Sequence, residues 1–104
     1  MSAVQQLAID GELSIYRAAE LRQWLDSSLQ PGGAVQIDLA EVSEIDTAGA
    51  QLLIAARRLA KQRGCTLHYV RHSEPVLALL TLFNLGAALG DPVALQPNTQ
   101  QVTA

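Results

Sequence analysis

The chain has 104 residues and a formal net charge of −3; 49% of it is hydrophobic and 16% charged. That is enough for one domain, residues 1–104, with a single core, and too apolar for a disordered segment. An acidic balance without basic runs excludes nucleic acid, whose binding rests on Lys and Arg contacts to phosphates, and no basic amphipathic stretch marks a membrane surface.

The single cysteine, Cys65, rules out an intrachain disulfide and fits a reducing, cytoplasmic compartment. The N-terminus lacks a charged and then apolar leader, and no run is long enough to span a bilayer, so direct membrane insertion is not expected.

Val4 to Ile9 reads as a first strand. Asp10-Gly11 is a turn signal, and Glu12 to Ile15 starts a second short strand, so the opening predicts a hairpin. Ala18 to Leu29 is helical, with Leu21, Leu25 and Leu29 on one stripe beside Trp24, and Pro31-Gly32-Gly33 ends it. Ala34 to Leu39 is the third strand; Val35, Ile37 and Leu39 share one face. Glu41 to Ile45 then reads as a short acidic turn.

The second helix runs from about Thr47 to Arg63, with Gly64 as its stop. Its helical period puts Ala48, Leu52, Ala55, Ala56 and Leu59 on the core stripe. Ala50, Leu53 and Ile54 fall off that stripe and predict an exposed apolar patch one turn beyond Thr47. Cys65 to Arg71 is a fourth strand, and Ser73-Glu74-Pro75 opens a third helix to about Leu85. Leu77, Leu82 and Leu85 on that helix are core, a dimer face or a partner face, and the pattern does not choose. Val93 to Leu95 is a candidate last strand, and a polar tail begins near residue 97. Strands alternating with helices of this length predict an α/β fold, a sheet covered by helices.

No phosphate-cradling loop, nucleophile elbow or dinucleotide fingerprint occurs, so no enzyme activity and no cofactor is expected. Cys65, His68 and His72 imitate zinc spacing. A strand sends Cys65 and His68 to opposite faces, and structural zinc wants four convergent ligands, so no metal site is expected. The informative stretch is Asp46-Thr47-Ala48-Gly49, where a hydroxyl meets a helix N-terminus with unpaired backbone N–H groups. An N-cap alone explains Asp46. The acidic approach and the small residues behind it, which leave the N-terminus uncrowded, point to a hydroxyl that another protein reads or phosphorylates.

The segment VSEIDTAGAQLLIAARR, Val42 to Arg58, resembles the signature of STAS domains, shared by sulphate transporters and anti-sigma factor antagonists. Gly11-Glu12-Leu13 with Ala19-Glu20-Leu21-Arg22, and Ser73-Glu74-Pro75 with Leu82-Phe83-Asn84-Leu85, resemble the family's opening and last helix. The likeness spans roughly residues 4 to 96.

The resemblance implies a mixed four- to five-stranded sheet with helices packed largely on one side. It also implies a non-enzymatic, protein-binding regulator in a bacterial signalling pathway, two-component or chemotaxis-like. In signalling members the hydroxyl of the Asp-Ser/Thr-x-Gly turn is phosphorylated by a kinase, a role that falls on Thr47. The partner-binding surface then comprises Asp46, Thr47, Ala48, Gly49, Ala50, Leu53 and Ile54. The partners implied are a protein kinase or anti-sigma-like regulator and a phosphatase. The alternative is the STAS subunit of a phospholipid-transport ABC complex, docked on its ATPase; a homodimer is a further option. Threonine replaces the commoner serine, Ala50 stands where a larger apolar residue is frequent, and Ser14 where aspartate is common.

Overall fold

A computed structural model describes residues 4–83. The expected strand at Val93 to Leu95, the polar tail and Leu85 lie outside the described residues. The elements are β1 (Gln5–Ala8), β2 (Gly11–Leu13), α1 (Ala18–Ser28), β3 (Ala34–Asp38), β4 (Val42–Ile45), α2 (Thr47–Gln62), β5 (Thr66–Val70) and α3 (Glu74–Leu82).

The α/β class is as predicted, but the strands pair differently from a hairpin. β1, β3 and β5 form a parallel sheet in that order, while β2 and β4 form a separate parallel pair. The Asp10-Gly11 bend, read as a hairpin turn, steers the chain out of the first sheet and into the second ladder. Gly11 takes φ 76°, a left-handed conformation that costs glycine little. Its N–H donates to the Glu41 carbonyl at 3.0 Å, and the Arg17 guanidinium donates to the Asp10 and Glu12 carbonyls at 2.6 and 2.8 Å. The bend is thereby tied to the start of β4 and of α1 rather than to β1.

Val35, Ile37, Leu67 and Tyr69 form the buried face of the sheet, with Leu7 packed beside them. On the opposite face Gln6, Gln36 and His68 line up in one cross-strand row. α2 packs on β5, α1 against α2, and α3 on β4. Leu21, Leu25 and Leu29 are buried as the helical stripe predicts.

α2 departs from its expected orientation. Ala50, Leu53 and Ile54 are buried and Ala55 is exposed, so the patch predicted at those three residues does not exist as an exposed surface. α1 flanks this helix on one side and α3 reaches it on another, so its buried arc is wider than one stripe. Leu53 is further fixed through its carbonyl, which accepts a 2.7 Å hydrogen bond from the buried Tyr69 hydroxyl. Burial holds the Tyr69 ionisation far above the usual phenol range, so this donor keeps its proton.

Candidate functional site

The site is the turn from β4 into α2. Asp46 is extended (φ −117°, ψ −177°) and ends the strand, while Thr47 begins the helix. The carboxylate is held from two directions: one oxygen accepts the Gly49 N–H at 2.9 Å, the other the Ile15 N–H at 3.1 Å. The Asp46 N–H in turn donates to the Leu13 carbonyl at 3.3 Å. The first bond caps α2; the other two tie the turn to the end of β2, more than thirty residues earlier. The Gly49 and then the Ile15 amide hold the Asp46 carboxyl below its ordinary range, so it is charged at neutral pH.

Gly49 is crowded, contrary to the expectation of an open helix start. A Cβ built on it would lie 2.1 Å from the Leu13 carbonyl oxygen. The first turn of α2 rests directly on the backbone of β2, and only a residue without a side chain fits. Thr47 faces outward and is exposed, and Ala48 is half-buried.

Of the seven residues expected to bind a partner, the structure brings Asp46, Thr47, Ala48 and Gly49 together at this turn. Ala50, Leu53 and Ile54 lie in the interior, with Ile54 only 7% exposed.

Two other residues supply the apolar surface. Ile15 and Tyr16, in the link from β2 to α1, are 62% and 87% exposed. The Ile15 amide is the one bonded to Asp46, so this pair stands beside the turn. The buried Ser14 accepts the Tyr16 N–H at 3.2 Å and shapes the link. Read as a continuing strand, the link hides its meaning; the signal lay in two large apolar residues just ahead of a helix start. Glu41, Ser43 and Glu44 are exposed on the approach to the turn. The surface is thus a hydroxyl and an apolar pair bordered by acid.

Elsewhere, Cys65 is buried and His68 is exposed on β5, which divides the zinc-like trio between interior and surface. Among the described residues, no helix is long and apolar enough to cross a membrane.

A family model described as "Mlab, STAS domain" matches residues 2–95. The anti-sigma-B factor antagonist of Bacillus subtilis (strain 168) is 29% identical over 80 residues, covering 77% of this chain and 73% of that protein. The crystal structure of a sulfate transporter family protein from Wolinella succinogenes superposes with a TM-score of 0.68 at 24% identity. That superposition covers 86% of this chain and 75% of the other, and shows the same fold.

Proposed function

The chain belongs to the STAS domain family, and on that footing we propose that it is a protein-binding regulator of the anti-sigma-factor-antagonist kind, switched by phosphorylation of Thr47. The observation that carries this reading is the exposed hydroxyl of Thr47 at the first position of α2, on a turn clamped to β2 by the Asp46 carboxylate. The likeness to the Bacillus subtilis antagonist supports it.

The mechanism is electrostatic. In the unphosphorylated state, a kinase or anti-sigma-like partner covers the Asp46–Gly49 turn and seats Ile15 and Tyr16 in an apolar recess. Tyrosine is suited to such an anchor, with a broad apolar ring and a polar tip. The kinase moves the γ-phosphoryl group of ATP onto the threonine oxygen, releasing ADP and the hydroxyl proton; a phosphatase returns the hydroxyl with water. The phosphate brings about −1.5 to −2 charges. The helix N-terminus tolerates it locally, because free N–H groups and the macrodipole favour an anion there. The partner meets a different situation: beside Glu41, Glu44 and Asp46 it must desolvate a dianion, which opposes docking unless it supplies cations. The chain is in this scheme a binder and a substrate rather than a catalyst, and it works in the bacterial cytoplasm.

The test pairs two measurements. Intact mass of the protein isolated from its native cell should show a phosphorylated fraction that Thr47→Ala removes. The copurified partner should bind Thr47→Glu about tenfold or more weakly, equivalent to ~1.4 kcal/mol, and Thr47→Ala without regulation. Unchanged binding by Thr47→Glu would end this reading.

A second reading, a subunit docked on the ATPase of a phospholipid-transport ABC complex, uses the same surface with Thr47 never modified. The exposed Tyr16 serves this interface as well as the first, since an aromatic ring anchors either kind of contact. Native protein that copurifies with an ATPase and a permease, and carries no phosphate, selects it.

A further inference from the structure

The second surface of interest lies on the flank of α2 away from the turn. α1 and α2 pack side by side and leave between them an open groove of about 800 Å³. Leu25, Leu52 and Ala56 make its floor, and the half-buried Leu59 extends it. The exposed Ala19 on α1 and Ala55 on α2 are small, so a third backbone can come close to both walls.

The charge on the rim is distinctive. The chain has only seven Lys and Arg residues against ten acids. Arg17 and Arg57 are engaged by backbone carbonyls, Arg71 by Asp38, and Arg63 by Asp26 at 2.6 Å, while the exposed Lys61 on α2 does not line the groove. Arg22 on α1 and Arg58 on α2 form the groove's two opposite rims, and among the described residues neither makes a hydrogen bond or ion pair. Asp26 also lines the groove, but Arg63 already neutralises it. On a protein with an acidic balance, an apolar channel is therefore edged by two uncompensated guanidinium groups.

We propose that this groove is a docking surface, separate from the Thr47 turn, for an acidic amphipathic helix of a partner protein. The apolar face of that helix lies on Leu52, Ala55, Ala56 and Leu59, and carboxylates on its two flanks meet Arg22 and Arg58. Two helical walls with small residues receive a third helix by side-chain interdigitation, the helix-in-groove mode of recognition. Guanidinium groups suit this role because they bind carboxylates in a two-pronged fashion. Arg58 lies eleven residues past Thr47, about 16 Å along α2 at the helical rise, so the groove and the turn can hold different parts of a partner.

The experiment titrates isotope-labelled full-length protein with a synthetic helical peptide of about five turns. The peptide carries leucine along one face and glutamate on both flanks. Shifts confined to α1 and α2, saturating at micromolar peptide and weakening with salt, are the expected result. Arg22→Glu combined with Arg58→Glu should weaken binding about tenfold or more and favour a matched peptide with lysine flanks. Both positions are on the exposed surface, and unchanged circular dichroism checks that the double variant folds. Thr47→Glu should leave the affinity unchanged, so this result stands or falls apart from the phosphorylation reading. Shifts outside the two helices, equal binding by the double variant, or no saturation at millimolar peptide would overturn the proposal. So would phosphatidylglycerol vesicles binding in the peptide's place, which assigns the groove to a lipid surface.

Discussion

Gly49 shows how a single position can carry two opposed demands. Inside a helix, alanine is favoured over glycine by about 1 kcal/mol. Here a Cβ would meet the Leu13 carbonyl at 2.1 Å, and backbone atoms do not yield as a flexible side chain does. Overpacking of this kind typically costs about 1–3 kcal/mol. Gly49→Ala should therefore lower the free energy of unfolding in urea despite its better helix propensity, by up to about 2 kcal/mol after the offset. It should also disturb the Ile15 amide resonance, because α2 must lift from β2. A variant more stable than the parent would show that the junction yields freely. At this scale the sequence was partly legible. Asp46 was recognisable as a cap because its bond to Gly49 is local, three residues ahead. Its second bond, to Ile15, and the crowding of Gly49 by Leu13 join positions far apart in the chain, and no local pattern records them.

The helices illustrate a different limit. The ends of α2 were readable from Asp46 at the start and Gly64 beyond the finish, but its buried face was not. A helical wheel assumes one covered side, whereas α2 meets the sheet, α1 and α3. Leu53 and Ile54 thereby become core residues. Leu53→Ala should destabilise the fold by about 2–5 kcal/mol, the usual range for deleting a buried leucine side chain. Thermal or urea unfolding measures this directly. A loss confined to partner affinity, with stability intact, would return Leu53 to the surface. β4 escaped notice because it has only four residues, with Ser43 and Glu44 exposed between Val42 and Ile45. So short and polar a strand carries too little alternation to be told from a turn. Ile15, which the alternation places in the second strand, is instead exposed link together with its neighbour Tyr16.

Across the molecule, the division into two ladders separates a rigid part from a lighter one. β3 lies between β1 and β5, with Val35 and Ile37 in the core, while β2 and β4 have only each other as strand partners among the described residues. Native-state amide exchange should be slowest in β3 and faster in β2 and β4, since protection follows the free energy of local opening. Equal protection in both ladders would mean that they open as one unit. The α/β class and most element positions followed from periodicity, but the pairing of β1 with β3 and β2 with β4 did not, because adjacent strands with a turn between them ordinarily fold back together. That interleaving also sets a timetable for synthesis. On the ribosome, β1 and β2 leave the exit tunnel before either has a mate, and each waits for a strand made after α1. The Asp46–Gly49 turn acquires its shape only when Gly49 has emerged and can settle on a β2 backbone completed long before.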